Sequence, residues 1–218
     1  AAQLLHDAKF QVFGFDMREA NEDFNFETKV VDLSSVESMR TEFEKIDAVL
    51  SCLPFHLNIA ISQLAHDTGI HYFDLTEDVA TTNAIIELGK TSPGVMAPQC
   101  GLAPGFIGIV GASLIAQLSE CRSCRMRVGA LPQHPTGVLG YSFNWSAEGV
   151  VNEYLNDCEV IEDGKRKWVS PMEWLETIYI NGMKLEAFTT SGGLATMCDT
   201  YHGKVANIDY KTMRYPGH

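Results

Sequence analysis

The first hundred residues alternate short apolar runs with segments of helical spacing, and this alternation is the strongest constraint on the fold. The spacing predicts a helix over 35–45, capped by a serine at position 34 or 35, and a helix over 57–68 that ends at Gly69. Apolar runs predict five strands, at 10–15, 30–33, 47–53, 70–75 and 95–99. Continuous apolar strands alternating with helices indicate an α/β domain whose doubly wound parallel sheet is covered on both faces, as in Rossmann-like nucleotide-binding domains.

The pattern changes after residue 104. A helix is predicted over 106–118, and longer runs of alternating polarity then predict strands within 123–131, 140–144, 158–169 and 177–189. Asp163-Gly164 and Asn181-Gly182 divide the last two runs, and such dipeptides favour tight β-hairpins. We therefore expect a Rossmann-like domain over 1–104 and an α+β substrate or dimerisation domain with a mostly antiparallel sheet over 105–218.

Composition excludes several classes of partner. The net charge of −12 disfavours nucleic acid and anionic lipid, because both are bound by positive surfaces. No apolar run reaches the roughly 18 residues of a membrane span, and the first residues lack the layout of a signal peptide. Cys121 and Cys124 have metal-ligand spacing but no second pair follows, so no metal is expected. These features are typical of a soluble cytoplasmic enzyme with a small-molecule partner.

Residues at the ends of the first three predicted strands are the candidates for a dinucleotide site. Asp16 ends the first strand, where a Rossmann carboxylate binds the adenine ribose hydroxyls and repels a 2′-phosphate. This favours NAD over NADP, although Arg18 leaves NADP possible, and a surface carboxylate in a turn is an equal alternative. The other candidates lie beside Asp16 or close the next two strands, and they are Met17, Asp32, Leu33, Leu53 and Pro54. For the turn after residue 51, a plain strand-to-helix loop is as good an interpretation as a cofactor-binding turn.

The glycine-rich phosphate turn of such domains is missing from this sequence. It normally lies roughly 20 residues before the ribose-binding acid, but no glycine precedes Gly14. Residues 1–8 resemble the end of the helix that follows this turn. Two explanations remain open, namely that the chain is part of a longer protein or that pyrophosphate binding has been lost.

Two further strand ends carry groups that could transfer protons. Asp74 closes the strand over 70–75, where a carboxylate could bind an ammonium group or orient an acid–base residue. Its alternative role is to cap the next helix. Cys100 follows the strand over 95–99, and its thiol could transfer a proton if its pKa were shifted, although a lone cysteine is more often inert.

Several long motifs resemble the saccharopine dehydrogenase family, which includes saccharopine reductases and lysine 6-dehydrogenases. In the first half these are IHYFDLTED and MAPQCGLAPG. In the second half they are GALPQ, GYSFNWSAEGVVNEY, EAFTTSGGLATM, TYHGKV and YKTMRYPGH. The resemblance covers nearly the whole chain. It looks closer to the lysine 6-dehydrogenase branch than to the fungal saccharopine reductases.

This resemblance implies a Rossmann domain, a substrate domain and a homodimer. It places acid–base roles at the amine on Asp74 and Cys100. Phe55 stands where some members have a substrate-binding tyrosine, so the hydroxyl of that tyrosine is absent here. The YSFNWS segment implies that Asn144, Trp145 and Ser146 contribute to the substrate pocket, although packing in the core is an equal alternative for Trp145.

The expected activity is oxidation at a CH–NH or CH–NH2 carbon of an amino acid, with hydride transfer to nicotinamide and hydrolysis of the imine. L-Lysine, saccharopine and carboxynorspermidine are the matching substrates. One alternative is a non-catalytic dimerising or regulatory module that has lost nucleotide binding. Another, within the same class, is an NADP-dependent biosynthetic reductase.

Overall fold

The computed structural model describes residues 1–143 and 145–218, and its first half alternates strands with helices. The strands of this half pair in parallel, β1 with β2 in one sheet and β3, β4 and β5 in that order in another. The expected parallel α/β organisation is therefore confirmed. The elements are α1 (Ala2–Asp7), β1 (Phe13–Asp16), β2 (Glu27–Val30), α2 (Val36–Phe43), β3 (Ala48–Ser51), α3 (Phe55–Thr68), β4 (His71–Asp74), α4 (Val79–Gly89) and β5 (Met96–Ala97).

Local chemistry sets the ends of these helices. Ser35 caps α2 by accepting a hydrogen bond from the backbone of Ser38, and Asp78 caps α4 by accepting one from Thr81. Gly69 ends α3 in the left-handed conformation at φ +78°, which is the predicted C-cap. The caps fix where these helices begin and end relative to the neighbouring strands.

One apolar core joins the two parallel sheets of this half. Tyr72 of β4 is fully buried there, with residues from α2, α3 and α4 packed around it. Phe15 of β1 and Leu33, just after β2, pack against the same core. The carboxyl ends of β1 and of the β3–β5 sheet therefore belong to one packed unit.

The second half is built around one mixed sheet, with mostly antiparallel pairing as expected. The strand order is β8-β7-β11-β10-β9, and β6 pairs in parallel with the other edge of β11. Its elements are α5 (Phe106–Ala116), β6 (Ser123–Val128), α6 (Ala147–Leu155), β7 (Cys158–Glu162), β8 (Lys165–Val169), β9 (Glu176–Ile180), β10 (Met183–Thr189), α7 (Met197–Tyr201) and β11 (Asn207–Arg214).

Both predicted hairpins are present. Asp163 and Gly164 join β7 to β8 with φ of +50° and +74°, and Asn181 and Gly182 join β9 to β10 with φ of +50° and +81°. Two consecutive residues with positive φ match a type I′ turn, whose twist suits a two-residue hairpin. Asn, Asp and Gly tolerate this conformation best.

Two local predictions differ from the structure. Residues 140–143 of the expected strand at 140–144 are not in a strand, because Gly140 adopts φ +56° and turns the chain; Asn144 lies outside the described residues. The apolar run at 30–33 begins where β2 ends, so Asp32 and Leu33 lie in the turn that follows the strand. The pattern also missed α6 and the central strand β11.

Within the described part of the chain, no helix has the length and apolar character needed to cross a membrane.

The loop that precedes α7 depends on close packing between Gly193 and the ring of Tyr210. A Cβ at residue 193 would lie 2.5 Å from Cγ of Tyr210, whose side chain is buried in the centre of the sheet. We expect Gly193→Ala to reduce the free energy of unfolding by about 1–3 kcal/mol, the usual cost of overpacking. Thermal denaturation measures this loss. Gly108→Ala is the control, because its Cβ would make only an ordinary contact at 3.7 Å, and an equal loss in both variants would contradict the packing argument.

Candidate active site

Asp74 connects the carboxyl ends of β4 and β5. Its side chain is fully buried; Oδ1 accepts hydrogen bonds from the backbone N–H groups of Thr76 and Gln99, both at 3.0 Å. Oδ2 accepts one from the Tyr72 hydroxyl at 2.8 Å. Burial raises the pKa of Asp74 and outweighs these hydrogen bonds, which lower it. Asp74 therefore shapes the loop at the sheet edge from within the protein.

Cys100 lies directly beside Asp74 at the same edge. Its backbone N–H donates to the Asp74 carbonyl at 2.7 Å, while its exposed thiol lies 3.3 Å from the carbonyl oxygen of Ala97. Partial burial and the Asp74 charge raise the pKa of this thiol, so it is protonated at neutral pH. The structure thus brings together the two residues expected to handle protons, one buried and one accessible.

The predicted cofactor residues lie at the ends of β1, β2 and β3. Asp16 is exposed at the end of β1, where Oδ1 accepts a hydrogen bond from the backbone of Arg18 at 2.9 Å, and Met17 beside it is 61% exposed. Asp16 thus has the position that a ribose-binding carboxylate requires. Asp32 is less suited to bind a ribose. Its Oδ1 already accepts hydrogen bonds from the backbone N–H and the hydroxyl of Ser34, which stabilise the turn after β2.

The remaining cofactor candidates shape the site mainly through packing. Leu33 and Leu53 are half-buried against the core of the first half, and Pro54 is exposed as the residue before α3. Phe55 begins α3 and is half-buried, with its ring perpendicular to that of His56. Leu53, Pro54 and Phe55 follow the end of β3, next to the β4 end that carries Asp74, whereas Leu33 follows β2.

The second half contributes the start of α6 to this region. The Ser146 hydroxyl accepts a hydrogen bond from the backbone of Gly149 at 3.0 Å, so it caps α6. Trp145 is 40% exposed, and its indole N–H donates to the Tyr141 hydroxyl at 3.3 Å. Asn144, the third expected pocket residue, lies outside the described residues.

Gly149 is a point of close approach between the two halves of the chain. A Cβ at this residue would lie 2.6 Å from Oε1 of Glu77 and would overlap the indole ring of Trp145. Asn152, nearly one turn further along α6, donates to Asp78 at 3.2 Å. The loop that follows Asp74 is therefore packed against α6, where the side chains of Glu77 and Trp145 both lie close to Gly149.

Glu153 places a second carboxylate on the same face of α6, one turn beyond Gly149. It is only 6% exposed, and burial raises its pKa to about 8, with a further contribution from the charge of Glu77. Burial also raises the pKa of Glu77, and the neighbouring charges of Asp78 and Asp74 add to this effect. Sequence reasoning missed both residues, because neither lies at the end of a predicted strand.

Arg214 is a buried cation at the end of β11, and it too was missed. It is 4% exposed, and its guanidinium carbon lies 4.4 Å from the centre of the Tyr141 ring. Nε donates to the Tyr154 hydroxyl and Nη1 to the carbonyl of Met213, both at 3.0 Å. Among the described residues, no carboxylate forms an ion pair with it, although buried arginines are normally paired.

His218 completes the hydrogen bonding around Arg214. Its Nδ1 lies 3.1 Å from the carbonyl of Leu139 and its Nε2 lies 3.1 Å from the Tyr154 hydroxyl. Since Tyr154 accepts from Arg214, its own O–H is free to donate to Nε2, which leaves the proton of a neutral ring on Nδ1. Burial lowers the pKa of His218 and the Arg214 charge adds to this, in agreement with a neutral ring.

Protein-family models match nearly the whole chain. The model of the saccharopine dehydrogenase NADP-binding domain matches residues 8–97, and that of the saccharopine dehydrogenase C-terminal domain matches residues 101–218. The chain belongs to the saccharopine dehydrogenase family. The expected family, the NAD(P)-binding domain and the NAD(P) cofactor are thereby confirmed.

One solved structure shows the same fold. Apo saccharopine dehydrogenase (L-Glu forming) from Saccharomyces cerevisiae superposes with a TM-score of 0.65 at 20% identity, over 88% of this chain and 45% of the yeast chain. An oxidoreductase from Bacillus cereus matches with a TM-score of 0.42 at 10% identity, over 92% of this chain and 56% of that chain. The chain thus spans about half the length of the proteins it matches.

Proposed function

We propose that this member of the saccharopine dehydrogenase family oxidises the CH–NH or CH–NH2 carbon of an amino acid, with L-lysine or a saccharopine-like secondary amine as substrate. The observation that carries the proposal is Arg214, a buried guanidinium without a carboxylate partner in the described part of the chain. An amino-acid carboxylate supplies the missing negative charge and matches the planar fork of arginine.

A nicotinamide cofactor, when bound, would supply the hydride acceptor, and the residues of this chain hold the substrate and move protons. Exposed at the end of β1, Asp16 fits the ribose of the dinucleotide and favours NAD over NADP. Cys100, with its neutral accessible thiol, is suited to donate a proton to the nitrogen that leaves when the imine is hydrolysed. Asp74 contacts no solvent, so it acts as a positioning residue that holds the Cys100 turn and raises the pKa of its thiol.

Trp145 is suited to form a wall of the substrate site. Its indole is held on one side by the hydrogen bond to Tyr141 and on the other by contact with Gly149. A fixed aromatic surface excludes water from the reacting carbon and contacts an aliphatic side chain such as that of lysine. Phe55 has no hydroxyl, so any contact it makes with substrate is apolar.

The test is absorbance at 340 nm with the purified protein, NAD or NADP, and L-lysine, saccharopine or cadaverine. Arg214→Lys keeps the charge but loses the bidentate fork, so we expect KM for L-lysine to rise by roughly tenfold or more. Cadaverine lacks a carboxylate, so its KM should not change. Arg125→Lys, an exposed arginine on β6, is the matched control. No reduction of either cofactor by any of these amines, in a folded protein, would favour the non-catalytic alternative.

A further inference from the structure

We propose that Glu77 and Glu153 bind the α-ammonium group of the substrate, next to the carboxylate held by Arg214. The inference rests on the proposed amino-acid site and adds the groups that select an α-amino acid over other carboxylates. The ligand class is a zwitterionic α-amino acid head group.

The backbone brings the two carboxylates onto one surface. Oε1 of Glu77 would lie 2.6 Å from a Cβ at Gly149, and Glu153 follows Gly149 by four residues on α6. Residues four apart in a helix are neighbours on the same face. Ser191 also donates its backbone N–H to the Glu153 carbonyl at 3.1 Å, which ties the end of α6 to the loop after β10.

The burial of Glu153 is hard to explain without a ligand. The residue is only 6% exposed, and no hydrogen bond or ion pair to its carboxylate is found among the described residues. Such burial is costly for a carboxylate. Arg214 points to the same ligand. It is a second buried ionic group, it lies within electrostatic range of Glu153, and it has no ion-pair partner in the described structure. A zwitterion supplies a counter-charge to each.

The charges around Glu153 explain why it retains a proton. Arg214 attracts a negative charge at Glu153, but burial and Glu77 oppose that charge and dominate. The titratable or charged groups in electrostatic range of Glu153 are Glu77 after β4, Tyr154 on α6, Cys158 on β7, and Tyr210 and Arg214 on β11. Asp74 and Asp78 act on Glu77 from the same loop. Of these groups, only Arg214 is a cation.

An ammonium group between the carboxylates reverses this balance. A nearby positive charge favours the ionised form of both acids, so binding lowers the pKa of Glu153 from about 8 and expels its proton to the buffer. Substrate binding at pH 7 should therefore release about one proton. A purely structural role for the buried glutamates predicts no such release.

Isothermal titration calorimetry in two buffers of different ionisation enthalpy measures this proton. L-Norleucine is the probe, because it has the α-amino acid head group but no amine at C6 and cannot undergo the proposed oxidation. We expect about one proton released per bound norleucine in the wild-type protein. 6-Aminohexanoate lacks the α-ammonium group and should bind without proton release.

Glu153→Gln should abolish the release and weaken norleucine binding by roughly tenfold or more. Glu148→Gln, on an exposed position of the same helix, is the matched control and should behave as wild type. If Glu153→Gln does not fold, Glu77→Gln tests the same site, and it should likewise reduce proton release and weaken norleucine binding.

The inference is overturned if wild-type protein binds norleucine without releasing protons, if it fails to bind norleucine, or if the glutamine variants release as many as wild type. An outcome in which norleucine releases protons but lysine is not oxidised overturns the proposed oxidation alone. The two hypotheses therefore fail in different experiments.

Discussion

Replacing Glu153 with glutamine is expected to make the free energy of unfolding less dependent on pH between pH 5 and 8. In the folded protein, burial and the charge of Glu77 raise the pKa of Glu153 from 4.5 to about 8. A rise of this size corresponds to about 5 kcal/mol, at roughly 1.4 kcal/mol for each pH unit. Among single substitutions at the site, this one should have the largest effect on stability.

The sign follows from proton linkage. Below the unfolded-state pKa of the carboxyl, Glu153 is protonated in both states and does not oppose folding. As the pH rises towards 8, the unfolded chain loses this proton while the folded protein keeps it, so the free energy of unfolding falls. Glutamine does not titrate, so the variant should match wild type at pH 4.5 and gain stability relative to it as the pH rises.

Thermal denaturation of both proteins at several pH values measures this difference. At pH 8 the variant should melt roughly 10–20 °C above wild type, since each kcal/mol shifts the melting temperature by about 2–4 °C in a chain of this length. Glu148→Gln removes a carboxylate from the exposed part of α6 and should follow the wild-type curve. A constant difference between wild type and Glu153→Gln at all pH values would show that Glu153 titrates normally.

The fold was largely predictable because its strongest determinants are local. The continuous apolar strands at 47–53 and 70–75 and the glycine cap at Gly69 predicted parallel strands joined by a helix. Likewise, the Asn181-Gly182 dipeptide predicted a hairpin because two residues with positive φ are needed there. In each case a few neighbouring residues determine the conformation.

β11 was missed because its pattern depends on distant partners. Its residues pair with β6, β7 and β10, so the strand is covered along both edges and is buried at alternate and at consecutive positions. Its polar residues Lys211, Thr212 and Arg214 are buried beside partners far away in sequence. Simple alternation of polar and apolar residues is therefore absent from this strand.

The candidate site was only partly predictable for the same reason. Asp74 and Cys100 were found because they end strands, and the structure brings them within one hydrogen bond of each other. Glu153 lies in the middle of a helix, where a glutamate is normally a solvated surface residue. It is buried by parts of the chain that are distant in sequence, including the loop after β10, β11 and the loop after β4 that approaches Gly149.

Gly149→Ala is expected to disrupt the proposed site while leaving most of the fold intact. Within a helix this change normally adds about 0.5–1 kcal/mol of stability, because alanine is the better helix former. Here the new methyl group would overlap the Trp145 ring and would lie 2.6 Å from Oε1 of Glu77. Real Cβ contacts are not this short, so the ring, the carboxylate or the helix must move.

Movement of either group should affect function more than stability. A misplacement of about 1 Å in a residue that positions substrate can reduce turnover by roughly 100-fold. We expect kcat/KM for L-lysine to fall by about this factor in Gly149→Ala, and the tryptophan fluorescence to change as the contacts of Trp145 change. Both quantities can be measured on the same preparation.

Gly108→Ala separates this steric effect from the general consequences of replacing a helical glycine. In α5 the added methyl group makes only an ordinary contact with Met197 at 3.7 Å, so kcat/KM should not change. If Gly149→Ala and Gly108→Ala retain equal activity, the contact of Trp145 and Glu77 with α6 is not needed for catalysis. Loss of activity in Gly149→Ala alone would show that the two halves of the chain must meet at this glycine to form a working site.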